Sequence, residues 1–175
     1  MPIDASHRFS NDLRRRTEDH PNQTQFTPAY VLDPVRLDLG GRIELDPCTT
    51  EDNPVGADHI YSLPRDGAAL PWDAETGFVN PPYGEARGRW VDRCIEAGHA
   101  GSRVVLLIPA HTDTRIFQRA LDTASAVVLI KGRVKFGTLR PNRRQVAASH
   151  PSALLAWGTP LTNSAALGTC MTRAA

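Results

Sequence analysis

Residues 104–108 read Val-Val-Leu-Leu-Ile, an unbroken apolar run that predicts a strand buried on both faces. The run lies between two segments, 85–99 and 114–124, in which apolar residues recur at helical spacing. Two further apolar runs, 126–130 and 153–157, follow along the chain. This alternation of strands and helices predicts an α/β fold in which a mostly parallel sheet lies between layers of helices.

The part of the chain before this run contains shorter elements. Thr27-Pro28 predicts a helix start, with Thr as the N-cap and Pro at the first helical position, and Pro34 is expected to end or kink that helix. Strands are predicted at 42–45, at 59–61 and up to residue 80. Because ligands bind at the carboxyl ends of strands in such sheets, we expect the site just after Leu45, Val79 and Ile108.

Length and composition indicate one globular domain. The 175 residues are 41% hydrophobic and 22% charged, and no run approaches the ~20 apolar residues of a membrane helix. The N-terminal segment lacks the apolar core of a secretory signal. We expect a flexible arm over residues 1–22, a single domain over 23–160 and a weakly ordered tail over 161–175.

The cysteines indicate the compartment. Cys48, Cys94 and Cys170 are odd in number and far apart, which argues against a disulfide framework and for the reducing cytoplasm. The sequence has no CxxC or HxxxH pair, so we expect no metal site.

Charge is unevenly distributed although the net charge is only +1. Residues 38–75 contain nine carboxylates and two arginines, whereas residues 131–144 contain six basic residues and no acid. The basic residues surround an aromatic residue, Phe136, a pattern that favours contact with a polyanion over a merely solvated loop. The basic residues are Lys131, Arg133, Lys135, Arg140, Arg143 and Arg144.

The strongest candidate for chemistry is the segment Asn80-Pro81-Pro82-Tyr83. The exocyclic amino group of a nucleobase is a poor nucleophile, and two acceptors on its N–H bonds would make it a better one. The Asn80 side-chain oxygen and the Pro81 carbonyl can serve as these acceptors, because the two prolines fix the backbone in advance. Tyr83 offers a flat face on which a base can stack. The alternative interpretation is a tight Pro-Pro loop that only ends a strand.

This segment resembles the catalytic motif of amino-methyltransferases that use S-adenosylmethionine. Over residues 24–157 the chain resembles the small phage and prophage DNA N6-adenine methyltransferases, the phage Dam family. The matching segments are Thr27-Pro28, Leu45-Asp46-Pro47-Cys48, Asp66-Gly67, Asn80-Pro81-Pro82-Tyr83, Ile108-Pro109-Ala110 with Thr112-Asp113-Thr114, and Gly132-Arg133-Val134-Lys135-Phe136. The resemblance implies a Rossmann-like fold, S-adenosylmethionine as cofactor, double-stranded DNA as partner and site-specific methylation of a flipped adenine.

The resemblance also implies residue roles. Thr27-Pro28 and Asp46-Pro47-Cys48 would contact the cofactor, with Asp46 pairing with its ammonium group. Asp66 would accept a hydrogen bond from its adenine or ribose. Phe136 would stack on the flipped base, together with Tyr83. The structural alternatives are a loop-capping Asp46, a packing role for Cys48, an Asp-Gly turn at Asp66, and a core Phe136 on a hairpin.

Other parts of the sequence leave alternatives open. The Gly-x-Gly loop that most methyltransferases use is absent after the first strand, where the chain reads Cys48-Thr49-Thr50. Thr112 or Asp113 is expected to cap the helix at 114–124, and His111 receives no role. Rival functions are a cytosine-N4 methyltransferase, a protein-glutamine methyltransferase, an RNA methyltransferase and a non-catalytic nucleic-acid-binding relative.

Overall fold

The computed structural model describes residues 26–82, 87–137 and 145–173. Its helices are α1 (Ala29–Asp38), α2 (Arg87–His99) and α3 (Arg115–Thr123), with a short 3-10 helix at Ser164–Leu167. Its strands are β1 (Leu45–Thr49), β2 (His59–Ser62), β3 (Thr76–Val79), β4 (Arg103–Pro109), β5 (Ala126–Ile130), β6 (Lys135–Phe136), β7 (Val146–Ala147), β8 (Ser152–Trp157) and β9 (Gly168–Thr172). None of these described helices is long and apolar enough to cross a membrane.

Seven of the described strands form one sheet in the order β2-β1-β3-β4-β8-β5-β9. The strands β2, β1, β3 and β4 pair in parallel, whereas β8 pairs antiparallel with both β4 and β5, and β9 pairs antiparallel with β5. Five of the seven therefore run in the same direction. The predicted α/β fold with a mostly parallel sheet between helices is confirmed.

The central strand β4 shows why helices cover both faces. Val105 and Leu107 join the apolar cluster that contains α1, whereas Val104, Leu106 and Ile108 join the cluster that contains α2 and α3. Because successive side chains of a strand point to opposite faces, a strand that is apolar at every position needs both layers. The strand predicted from this run is therefore confirmed as buried on both faces.

Helix α1 differs from its prediction at two places. It begins at Ala29, and the Thr27 side chain does not cap it. Pro34 lies inside the helix, which continues to Asp38. Val31, Val35 and Leu39 recur every four residues and are almost fully buried. Their packing against the sheet compensates for the N–H group that Pro34 lacks, so the expected end at this residue is wrong.

Strand β1 lies later in the chain than predicted. It spans Leu45–Thr49, whereas the prediction was 42–45, and Pro47 lies inside it. The register with β2 shifts between Asp46 and Thr49, and proline is tolerated in strands at such irregularities. The predicted strand ended too early because aspartate and proline, the residues at positions 46 and 47, are unfavourable inside most strands.

The C-terminal segment is also part of the fold. We expected a weakly ordered tail over 161–175, but β9 pairs with β5 over five residue pairs. Leu161 is buried in the core, and the Asp38 carboxylate accepts hydrogen bonds from the backbone and side chains of Asn163 and Ser164. These contacts account for the order of this segment. The predicted arm at 1–22 lies outside the described residues.

Candidate active site

The carboxyl ends of β1, β3 and β4 meet at one edge of the sheet. Asn80 directly follows β3, and Asp46 and Cys48 lie in β1 beside it, with the irregular register of β1 following Asp46. This is the edge at which ligands bind in open α/β sheets. The fold therefore brings together segments that are more than 30 residues apart in the sequence.

Asn80 joins three of the segments that the sequence singles out. Its side-chain Nδ2 donates a hydrogen bond to Thr27 Oγ1 over 3.2 Å. Its backbone hydrogen-bonds the thiol of Cys48. Thr27 therefore positions the asparagine rather than capping α1. Of the other motif residues, Pro81 is buried, Pro82 is exposed and Tyr83 lies outside the described residues.

Asp46 is a buried carboxylic acid. Only 4% of the residue is exposed, and its Oδ1 accepts a hydrogen bond from the Cys48 backbone N–H over 3.1 Å. Burial raises the pKa of Asp46 to about 6, although hydrogen bonds from Cys48 and Thr49 act in the opposite direction. The carboxylate thus accepts a backbone hydrogen bond where the register of β1 is irregular. A contact with a cofactor stays a prediction.

The Cys48 thiol is not a nucleophile. Burial and the neighbouring Asp46 carboxylate raise its pKa well above the usual value, so the thiol remains protonated at neutral pH. Its side chain packs against the apolar cluster of α2 and α3. A packing role is what the sequence favoured for this residue.

Thr50, the residue after β1, was not a candidate in the sequence analysis. Its Oγ1 is buried and, within the part of the chain that the structure describes, has no hydrogen-bond partner. A buried hydroxyl without a partner is costly, and such a group beside a ligand edge can be satisfied by a ligand. Only its position directly after a strand could have indicated it from the sequence.

Asp66 occupies an exposed Asp-Gly turn. Its Oδ1 accepts from the Ala68 backbone N–H over 3.1 Å, and its Oδ2 forms an ion pair with Arg89 at 2.8 Å. Gly67 lies against β1, since a Cβ atom there would be 1.8 Å from the Pro47 carbonyl oxygen. The loop is thus held beside β1 by backbone packing, and a contact of Asp66 with the cofactor stays a prediction.

The basic β6–β7 hairpin is attached to the segment that contains Thr27. Phe26, next to Thr27, exchanges two backbone hydrogen bonds with Gly137 at the end of β6. The Lys135 backbone N–H donates to the Tyr30 hydroxyl of α1 over 3.2 Å. The hairpin is therefore attached to the segment that positions Asn80.

The predicted DNA-binding residues of this region are only partly described. Lys131, Arg133 and Lys135 are exposed, and the Arg133 guanidinium donates to the Ser149 carbonyl oxygen of the same hairpin region. The remaining three predicted residues lie outside the described part of the chain: Arg140, Arg143 and Arg144.

Phe136 is fully buried, in the apolar cluster that contains α1. This burial favours the core role that the sequence left open for this residue. Stacking on a base would require the hairpin to move, so that role stays a prediction.

The loop after β4 differs from its prediction in one detail. The N-cap of α3 is Thr114, whose Oγ1 accepts from the Phe117 backbone N–H over 3.3 Å, and the expected cap at Thr112 or Asp113 is wrong. A cap at Thr112 or Asp113 would make α3 one or two residues longer. The Thr114 hydroxyl also donates a hydrogen bond to the His111 carbonyl oxygen.

Comparison with known proteins identifies the family. The family model described as DNA N-6-adenine-methyltransferase (Dam) matches residues 15–173, which include the segments around Asn80 and the C-terminal strand β9. A search of curated proteins finds no match to this chain. Since the family model covers most of the sequence, the chain belongs to the DNA N-6-adenine-methyltransferase (Dam) family.

Proposed function

We propose that this protein transfers a methyl group from S-adenosylmethionine to N6 of an adenine in double-stranded DNA, at a specific sequence. The family match supports the reaction class. The observation that carries the proposal is the position of Asn80. It follows β3 at the carboxyl edge, hydrogen-bonds Thr27 and lies beside Cys48 of β1.

In this proposal Asn80 supplies the first acceptor for the adenine amino group. Its Nδ2 donates to Thr27 Oγ1, so the amide oxygen lies on the other side of the amide group. The second acceptor is the carbonyl of the buried Pro81, whose orientation Pro81 and Pro82 restrict. Two preorganised acceptors pull electron density onto the amino nitrogen with little reorganisation, as in other electrostatically organised sites.

The residues beside β1 fit the cofactor chemically. Asp46 is a buried acid that suits the ammonium group of the methionine part, and Thr50 offers a buried hydroxyl that has no partner among the described residues. Thr27, Pro28, Pro47, Cys48 and Asp66 are the other proposed cofactor contacts. Gly67 keeps the neighbouring loop close to the Pro47 carbonyl. When bound, S-adenosylmethionine supplies an electrophilic methyl group, and the protein contributes positioning rather than acid–base steps.

The target adenine is proposed to leave the duplex. Extrusion costs a few kcal/mol, which stacking on Tyr83 and the two amino-group hydrogen bonds would offset. Phe136, the second predicted stacking residue, would join only if the β6–β7 hairpin opened.

The DNA backbone is proposed to contact the basic hairpin. Lys131, Arg133 and Lys135 are exposed, and the hairpin that contains Lys135 is attached to Phe26, next to Thr27. Arg140, Arg143 and Arg144 are proposed to extend this surface. Phosphate contacts of this kind orient the protein on DNA and do not read its sequence.

We further infer a phage or prophage origin from the combined set of motifs. We also place the enzyme in the cytoplasm, where its DNA substrate would lie. The odd number and wide spacing of Cys48, Cys94 and Cys170 support this placement.

The test is a methyl-transfer assay with S-adenosylmethionine carrying a labelled methyl group and unmethylated duplex DNA. The DNA is then digested to nucleosides and analysed by mass spectrometry, with Asn80→Ala as the matched control. Labelled N6-methyladenine with wild type and none with the variant is the expected result. N4-methylcytosine would overturn the base assignment, and label in RNA or protein substrates alone would overturn DNA as the substrate.

A further inference from the structure

A second cluster of titratable groups lies at the same sheet edge, beyond Asn80. Arg87 begins α2, His111 follows β4, and His150 precedes β8. Arg87 Nη1 lies 3.3 Å from His111 Nδ1, and the rings of His111 and His150 meet edge to face with their centroids 4.5 Å apart. The Ala110 backbone N–H donates to the Pro151 carbonyl oxygen over 2.8 Å, which ties the two histidine segments together.

The cluster has the electrostatics of an anion site. A guanidinium group only donates hydrogen bonds, so Nδ1 of His111 must accept and the neutral ring carries its proton on Nε2. Burial, His150 and Arg87 lower the pKa of His111, whereas Asp113 on the same loop raises it. Three nitrogen-rich side chains thus converge, and the guanidinium disfavours a bound cation at this position.

The order of the strands separates this cluster from the proposed cofactor residues. Asp46 lies on β1 and Asn80 follows β3, whereas the cluster lies at the ends of β4 and β8. At ~4.8 Å per strand, the cluster is roughly 10–14 Å from β1, on the far side of the motif. An anion held there is therefore not the carboxylate of a cofactor bound at β1.

The cluster is continuous with the basic hairpin. The Arg133 guanidinium donates to the Ser149 carbonyl oxygen, and Ser149 directly precedes His150. The exposed cation Arg133 is therefore linked by this hydrogen bond to the segment that contains His150. A polyanion bound to the hairpin can extend over both groups.

We propose that Arg87, His111 and His150 bind a backbone phosphate of the DNA substrate, on the side of the target base opposite the cofactor. This inference rests on the proposed function, because it takes DNA as the polymer. A phosphate that accepts from Arg87 in place of His111 Nδ1 would favour protonation of that nitrogen. DNA binding would then take up protons, and affinity would rise as pH falls through the range in which histidine titrates. Arg87, His150 and Asp113 are the charged or titratable groups that influence His111 in the structure.

The experiment measures duplex DNA affinity by fluorescence anisotropy as a function of salt and pH. The proteins are wild type, His111→Gln, His150→Gln and His150→Lys. The matched control is His99→Gln, an exposed histidine at the opposite end of α2. S-adenosylmethionine affinity and methyl transfer are measured on the same samples, and thermal melting checks that each variant folds.

Each glutamine variant should lower DNA affinity about five-fold at ~0.15 M salt and near pH 6, and should reduce the salt slope by about one. The pH dependence of DNA affinity should be flatter in each glutamine variant than in the wild type. Cofactor affinity should be unchanged, and His99→Gln should bind DNA like the wild type. His150→Lys should bind DNA at about pH 8 at least as tightly as wild type, which a purely structural histidine would not explain.

The phosphate site would be overturned if both glutamine variants kept the salt slope and pH dependence of the wild type. The proposed function would survive that result if the wild type still methylated DNA. Loss of cofactor affinity with an unchanged salt slope would also overturn it. Absence of DNA binding by the wild type would overturn both proposals.

Discussion

On the β1 side of the site the polar groups are buried, whereas on the β6–β7 hairpin they are exposed cations. Asp46 is buried in β1 and held by hydrogen bonds, and the Oγ1 atom of Thr50, the residue after β1, is also buried. Lys131 and Lys135 extend into solvent. A buried group contacts its ligand in one fixed geometry, so removing it should cause a large loss of cofactor binding or methyl transfer. Exposed cations attract DNA through their combined charge, so removing one should only weaken DNA binding.

The largest effect is expected at Asn80, between these two regions. Asn80→Ala removes an acceptor for the amino group and should lower the rate of methyl transfer by ~10²–10³-fold, the usual cost of losing a preorganised hydrogen-bonding group. S-adenosylmethionine affinity, measured by calorimetry, should stay within about two-fold because the β1 residues are unchanged. Wild-type turnover by this variant would remove Asn80 from the mechanism.

The next largest effect compares two carboxylates, one buried and one exposed. Asp46→Asn should weaken S-adenosylmethionine binding ~10–100-fold, because it removes a charged hydrogen-bonding partner from a buried site. Asp92→Asn, the matched control, should change binding less than about three-fold, since Asp92 is half-exposed, is paired with Arg119 and lies on α2 outside the proposed cofactor contacts. Equal losses in calorimetric titrations of the two variants would contradict the assignment of Asp46.

The same Asp46→Asn variant should be more stable than wild type at neutral pH. The folded-state pKa of Asp46 is about 6 against an ordinary 3.8, so its stabilising contribution exists below 3.8 and is lost as pH rises through 6. The ionised carboxylate then costs up to ~3 kcal/mol at pH 7. Asparagine avoids this cost and keeps the oxygen that accepts from Cys48. Urea unfolding at about pH 7 measures the difference, and an unchanged or lower free energy of unfolding would contradict it.

The pH dependence of cofactor binding tests the same group in the wild type. The ionised form of Asp46 pairs with the ammonium, so affinity should fall as pH drops through about 6 and approach a ten-fold loss per pH unit below it. Calorimetric titrations between about pH 5 and 8 measure this, and Asp46→Asn should show a flat profile there. A flat wild-type profile would mean that Asp46 does not meet the ammonium.

The smallest effect is expected on the hairpin. Lys135→Gln should lower duplex DNA affinity about five-fold at ~0.15 M salt and reduce the salt slope by about one. Arg119→Gln is a matched control, because Arg119 is an exposed cation of α3 that pairs with Asp92. Anisotropy titrations at several salt concentrations compare the two, and equal salt slopes for Lys135→Gln and wild type would remove Lys135 from the interface.

Patterns within one segment predicted the parts of the fold that packing alone decides. The run at 104–108 predicted β4 because a wholly apolar strand needs cover on both faces. The motif at Asn80 could be placed after a strand because Phe78 and Val79 precede a Pro-Pro pair. In both cases the local sequence contains the information that the structure uses.

The errors arose where distant contacts override local preferences. Pro34 and Pro47 look like breaks, but packing of α1 and an irregular register in β1 accommodate them. The tail at 161–175 has a weak local pattern and gains order from β5 and from Asp38. Its propensities could not reveal this pairing.

The candidate site shows the same limit. Asn80, Thr27 and Cys48 could be named from motifs, but the hydrogen bond between Asn80 and Thr27 exists only in the folded chain. The burial of the Thr50 hydroxyl and the contact between His111 and His150 depend on long-range packing and pairing. Neither leaves a pattern in the sequence.

The central claim is that the Asn80 side-chain oxygen accepts a hydrogen bond from the adenine amino group. Single-turnover formation of N6-methyladenine by wild type, Asn80→Asp and Asn80→Ala tests it most directly. Aspartate keeps an acceptor oxygen, and the Thr27 hydroxyl can turn to donate to it. We therefore predict slower but readily measurable transfer by Asn80→Asp and a rate ~10²–10³-fold below wild type for Asn80→Ala. Equal rates for the two variants, or no N6-methyladenine with the wild type, would contradict the account.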